Sequence, residues 1–196
     1  MGYYTKKFTV VLDIDNTIMT SYQAHQIDLN ILKKYNLSYV KIDDTYYVER
    51  PHIQTLLDFV FKYFNVIFWT AATRSYAITV LEHIVLKKPG RNIELLLSRD
   101  TCNYSYRKYK NMKQLKILWD ELKLNHLNEH NTILIDDLYN NCSNQQKNCV
   151  WIPPFDIKNV SSIQYNAITP ILKYLEQILK YNRIPQQTIY HLQTRS

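Results

Sequence analysis

The chain has 196 residues, enough for one domain with a substantial core and short for two. An apolar fraction of 46% excludes a disordered chain, and no apolar run approaches the roughly 20 residues of a membrane helix, so a soluble protein is expected. The net charge of +7 suits a polyanionic partner such as nucleic acid or a phosphorylated protein, although the lysines are scattered and form no long basic run.

The start, Met1–Lys7, carries no apolar signal core, so the expected location is intracellular, in the nucleus or cytoplasm. Cys102, Cys142 and Cys149 have no zinc-site spacing, and their odd number argues against a disulfide scaffold and for a reducing compartment. Only two glycines occur, while Asn, Lys, Ile and Tyr are abundant. That usage resembles an AT-rich genome, as in some large DNA viruses or protists; a viral chain would work in its host cell.

Val10-Val11-Leu12 reads as a strand buried on both faces, and it runs into Asp13-Ile14-Asp15-Asn16-Thr17. After a weakly periodic stretch, residues 39–48 read as a β-hairpin turning at Asp43-Asp44. Arg50-Pro51 opens a helix whose stripe is Leu56, Leu57, Val60, Phe61 and Phe64. Val66–Trp69 is a second buried strand ending at Thr70, and Ser75–Lys88 a helix stopped by Pro89-Gly90. Ile93–Leu97 is a strand, and residues 98–112 an irregular, basic, tyrosine-rich loop. Lys113–Leu124 reads as a helix burying Leu115, Leu118, Trp119 and Leu122. Ile133–Ile135 is a strand running into Asp136-Asp137, Cys149–Ile152 a short strand, and Ile168–Tyr181 a final helix. This alternation predicts one parallel α/β domain, followed by a polar tail.

A buried strand has no structural use for carboxylates except at its C-terminal end, where open α/β sheets place their sites. Two adjacent strands of this kind would aim four carboxylates at one point, which requires a cation. Asp13 is then placed to attack the phosphorus of a phosphate monoester, with Mg²⁺ on Asp13 and the Asp136/Asp137 pair neutralising charge. Asp15 is placed to protonate the leaving oxygen and later to take a proton from water. Thr70 offers donors to the phosphoryl oxygens, and Lys113, or alternatively Lys110, supplies the pairing ammonium.

These residues resemble a known family. Asp13-Ile14-Asp15-Asn16-Thr17 is similar to the DxDxT signature of the haloacid dehalogenase (HAD) superfamily, in particular of its FCP/SCP-type protein phosphatases. Glu49-Arg50-Pro51-His52, Phe68-Trp69-Thr70-Ala71-Ala72 and Arg99-Asp100-Thr101-Cys102 resemble three further segments of that family. Lys113–Trp119, Asn131–Asp137 with Asn141, and Ile152–Phe155 are similar to the subgroup that elsewhere carries a ubiquitin-like domain, which this chain lacks. Gln114 stands where that subgroup has proline, Leu118 where it has isoleucine, and Asn140 where it has arginine.

The resemblance implies a HAD-like Rossmannoid parallel sheet flanked by helices, with a small β-hairpin insertion after the first strand and no large cap. It implies a single domain over 1–183 and a polar tail over 184–196. It makes Asp13 the nucleophile and Asp15 the acid/base; Thr70, Ala71, Lys113 and Arg99 bind substrate. Mg²⁺ would be held by Asp13, the Asp15 carbonyl, and Asp136 or Asp137. The implied substrate is phosphoserine or phosphothreonine in a protein, for instance the RNA polymerase II C-terminal domain. The rival readings are a nucleic-acid 3′-end or small-molecule phosphatase on the same fold, with direct nucleic-acid binding, and a non-catalytic translocase-like subunit. Tyr46, Tyr47, Tyr104, Tyr106 and Tyr109 would line a groove for an extended peptide, or simply reflect 17 tyrosines in the chain.

Overall fold

The computed structural model describes residues 6–185. The elements run β1 (Thr9–Leu12), β2 (Met19–Gln23), α1 (Leu29–Lys34), β3 (Tyr39–Ile42), β4 (Thr45–Glu49), α2 (Ile53–Tyr63), β5 (Asn65–Trp69), α3 (Arg74–Val80), β6 (Leu95–Leu97), α4 (Arg99–Tyr109), β7 (Thr132–Asp136), α5 (Tyr139–Ser143), β8 (Cys149–Trp151), α6 (Val160–Gln164) and α7 (Ile168–Tyr181). Five strands form one parallel sheet in the order β6-β5-β1-β7-β8.

β1 lies at the centre because its apolar run Val10, Val11 and Leu12 is wholly buried. Its side chains alternate between two cores. Val10 and Leu12 join Phe68, Ile133 and Ile135 beneath α2 and α7. Val11 joins Ile67, Trp69 and Leu134 beneath Cys102 of α4 and the segment Leu115–Leu118. This is the α/β sheet with helices on both faces that the alternation of elements implies.

The insertion after β1 is larger than the expected hairpin. β3 and β4 do pair antiparallel about Asp43-Asp44, with Asp43 at φ 50°, which an aspartate tolerates. β2 adds to β4 as a third strand, in register from Met19↔Glu49 to Gln23↔Thr45. α2 begins at Ile53 and not at Arg50, because His52 adopts φ 64° and breaks the turn.

Residues 99–109 form a helix, not the irregular loop expected. Only Cys102 and Ser105 are buried there, so no apolar stripe advertises it. Its signals are at its ends, with Asp100 in the first turn and Arg107 and Lys108 in the last, each complementing the helix dipole. The helix expected over 113–124 is a single π-helical turn, Ile117–Glu121, and Leu122 is exposed. Ser75–Lys88 shortens to α3 followed by a π-helical turn over Leu81–Val85.

Cys142 and Cys149 are disulfide-bonded with Cα atoms 5.1 Å apart, and Cys102 alone is free among the described residues. The expectation of unpaired thiols is corrected: β8 returns beside β7 through α5 and carries the two cysteines together, which sequence spacing does not reveal. Most of the expected signal-free start (Met1–Lys7) and of the expected polar tail (184–196) lies outside the described residues, which leave out 1–5 and 186–196. Among the described residues no helix is long and apolar enough to cross a membrane.

Candidate active site

Parallel pairing of β1 with β7 sets Leu12 beside Ile135, so the next residues, Asp13 and Asp136, emerge side by side at the C-terminal edge of the sheet. The Asp13 amide donates to the Ile135 carbonyl (3.0 Å) and extends the ladder one residue past β1. On the other side Leu12 pairs with Phe68, so Trp69 and Thr70 reach the same edge. Sheet register alone therefore converges three segments far apart in sequence.

One carboxylate oxygen from each of Asp13, Asp136 and Asp137 lies within 4.8 Å of the other two, and all three residues are buried. Lys113, 2% exposed, points its ammonium into this group, paired with Asp13 and with Asp136 Oδ2 (2.8 Å). Asp136 is held further by the Leu138 amide (2.8 Å) and by Asn141 Nδ2, 3.1 Å from each oxygen. Three carboxylates against one ammonium leave the cage short of positive charge. Burial pushes the Asp13 carboxyl up to about 8; Lys113 opposes this, while Asp136 and Asp137 add to it. Burial, then the charge of Asp136, raises Asp137 to about 6. For Lys113, burial acts to lower the pKa, but the two carboxylates outweigh it and hold the ammonium above the ordinary lysine range. Acids held this far up want a cation. An octahedral magnesium, with oxygens at about 2.0–2.1 Å, sets its ligands no more than about 4.2 Å apart, so three oxygens gathered within 4.8 Å suit one such ion.

Asp15 stands outside this cage. Its carboxylate accepts from the Tyr76 hydroxyl (2.5 Å) and from Thr70 Oγ1 (3.2 Å). Thr70 Oγ1 in turn accepts from the Ala72 amide (2.9 Å), and this fixes the exposed Ala71 turn. The sequence motif thus delivers two acids to different surroundings: Asp13 into the metal-sized cluster and Asp15 toward hydroxyl donors.

Lys113 and not Lys110 reaches Asp13. Lys110 is the left-handed residue ending α4 and lies over the Tyr106 ring. Arg99 is exposed at the rim, where its Nε donates to the Ala71 carbonyl (3.2 Å). Of the five tyrosines, Tyr47 is buried against Tyr76, Tyr46 packs at a tilt on Tyr39, Tyr106 lies beneath the Lys110 ammonium, and Tyr104 and Tyr109 both donate to Glu121.

Sequence reasoning missed the supports of the site. Arg50, 4% exposed, donates to the carbonyls of Asn16, Thr17 (2.6 Å) and Pro153 (2.7 Å), so it clamps the acidic loop to the strand-exit segment after β8. Burial lowers its pKa to about 10, which still leaves it charged at neutral pH. Gln145 donates to the carbonyls of Lys113 (2.7 Å) and Asn141 (2.6 Å) and accepts from the Leu115 amide (3.0 Å). One amide thereby ties the lysine's backbone to the segment that grips Asp136. Asn111 does the same, accepting from the Lys113 amide (2.8 Å) and donating to Asn140 (3.0 Å). Among these three, only Arg50 left a signal in the sequence, where the Arg-Pro pair read as a helix start and as part of a family-like segment.

Comparison with known proteins bears on this geometry. A family model described as NLI interacting factor-like phosphatase matches residues 8–183. The CTD phosphatase-like protein 355R of Invertebrate iridescent virus 6 is 38% identical over 154 residues, covering 74% of this chain and 85% of the relative. Its counterpart in Invertebrate iridescent virus 3 is 32% identical over 181 residues, covering 87% and 96%. A solved structure of the fission yeast RNA polymerase II CTD phosphatase Fcp1, bound to beryllium fluoride, superposes with a TM-score of 0.56 at 16% identity. That match covers 77% of this chain and 43% of the yeast chain, so this chain spans less than half the length of that protein.

Proposed function

Because the chain belongs to the NLI interacting factor-like phosphatase family, we propose that it is a Mg²⁺-dependent phosphatase of phosphoserine and phosphothreonine in proteins, acting through a phosphorylated Asp13. The observation that carries this reading is the buried meeting of Asp13, Asp136 and Asp137 around the Lys113 ammonium. Asp13, the main-chain oxygen of Asp15, and Asp136 or Asp137 would hold the ion. Bound there, it would neutralise the approach of one anion to another.

The chain's own groups supply the rest. Lys113 orients Asp13 and pairs with a phosphoryl oxygen, and Thr70 and the amides of the Ala71 turn donate to the others. Asp13 attacks phosphorus, and the leaving alkoxide takes its proton from Asp15. Asp15 then takes a proton from the water that cleaves the acyl phosphate and releases Asp13. A sheet of only three strands is inserted after β1, which suits a macromolecular substrate, and the net charge of +7 favours a multiply phosphorylated chain. The names of the relatives make the RNA polymerase II C-terminal domain the first substrate to try.

The test is a panel of phosphoserine and phosphothreonine peptides, including heptad repeats of that domain, assayed with Mg²⁺ and with EDTA. Phosphate release that requires Mg²⁺ is the expected result. Release from a 3′-phosphorylated oligonucleotide alone, or from nothing, would refute the reading.

A further inference from the structure

The donors around Asp15 run in one direction. Tyr76 gives its single proton to Asp15 Oδ1 at 2.5 Å, so its 3.2 Å contact with Ser21 Oγ must be a bond it accepts. Ser21 lies on β2 of the small sheet and Tyr76 on α3 of the main domain. The Tyr76 ring is also braced against Tyr47, with centroids 5.9 Å apart. Thr70 holds the other carboxylate oxygen at the longer distance of 3.2 Å. If Thr70 turns its hydroxyl to a phosphoryl oxygen, it must release Asp15, and Tyr76 is then the donor left holding that carboxylate.

We propose that Tyr76 is a positioning residue: its hydroxyl, oriented by Ser21, keeps Asp15 aimed at the reaction centre while Thr70 serves the phosphate. This rests on the function proposed above and deepens it. Its effect falls most clearly on the second half-reaction. There Asp15 must be an ionised acceptor: the water oxygen bonds to phosphorus as its proton passes to Asp15, and the bond from phosphorus to the Asp13 oxygen breaks, leaving a carboxylate. A mis-aimed Asp15 slows that step while substrate still binds.

Tyr76→Phe removes one oxygen and keeps the ring. In Mg²⁺ with a phosphopeptide that wild type hydrolyses, kcat should fall about 10–100-fold, part of the 10²–10⁴-fold that general acid–base catalysis supplies, and KM should fall with it, because slowed breakdown of the phosphoenzyme lowers both. The fraction of protein trapped as phosphoenzyme during turnover should rise. An elevated KM with unchanged kcat would mean that Tyr76 contacts substrate instead, and would overturn the proposal, as would wild-type kinetics. Should Tyr76→Phe not fold, Ser21→Ala carries the same test: lowered kcat with a raised phosphoenzyme fraction and no rise in KM supports the proposal, and unchanged kcat overturns it. Should wild type release no phosphate from any peptide, the proposed function fails by itself. Crystal structures then decide the positioning claim: Asp15 in a different rotamer in Tyr76→Phe upholds it, and Asp15 unmoved overturns it.

Discussion

Replacing Asp13 with asparagine should abolish turnover and yet make the cation-free protein more stable. Burial pushes the Asp13 carboxyl up to about 8 in the fold, against an ordinary value of 3.8. Between those values the folded protein retains a proton that the unfolded chain has released, so stability declines as pH rises from about 4 to about 8. Asparagine has the shape of the protonated acid and cannot ionise. At about 1.4 kcal/mol per unit, a shift of some four units sets a ceiling of about 5–6 kcal/mol at pH 8.5. Relaxation around an ionised Asp13 lowers this, and about 2–4 kcal/mol is expected, or roughly 4–16 °C for a domain of this size. Thermal unfolding of both proteins in EDTA at pH 5 and pH 8.5 measures it. The gain should be large at pH 8.5 and shrink at pH 5. Added Mg²⁺ should raise the melting temperature of wild type more than that of the variant. A variant less stable than wild type at pH 8.5, or a difference independent of pH, would refute this electrostatic account of the cage.

Lys113→Met should act in the opposite direction, since it leaves Asp13 and Asp136 buried without an ammonium. A loss of about 3–5 kcal/mol in EDTA at pH 8.5 is expected, partly recovered by Mg²⁺, and thermal unfolding reads both. Arg50→Lys should lower stability by about 2–4 kcal/mol, because one ammonium cannot reach the carbonyls of Asn16, Thr17 and Pro153 together. Urea unfolding measures that loss, and a change below about 0.5 kcal/mol, that of a neutral surface site, would dismiss the clamp. Replacing Cys142 and Cys149 by serine opens a short covalent ring beside Asn141, at an expected loss of about 2–3 kcal/mol. Equal melting temperatures of the two proteins under oxidising conditions would show that the bond contributes nothing.

What the sequence disclosed follows from where polar groups sit. Strands β1 and β7 were legible because apolar runs end in acids that have no other use there, and α7 because its apolar residues repeat at helical spacing. Helix α4 was not legible, since it buries only Cys102 and Ser105 and its evidence lies in end charges. The 113–124 segment misled because its leucines fit a helical stripe, yet Lys123 takes φ 54° and Leu122 faces water. Arg50, Tyr76 and Gln145 act through contacts set by tertiary packing. Arg50 reaches 33 residues back to Thr17 and Tyr76 reaches 61 back to Asp15, distances over which no local pattern carries information.

The central claim is that Asp13 itself becomes phosphorylated. Quenching a turnover reaction with sodium borohydride reduces an acyl phosphate to an alcohol, so peptide mapping finds homoserine at the attacked aspartate. Conversion at Asp13 alone, present with Mg²⁺ and phosphopeptide and missing with EDTA, is the predicted result. Turnover with no conversion, or conversion at Asp15, Asp136 or Asp137 instead, would contradict it.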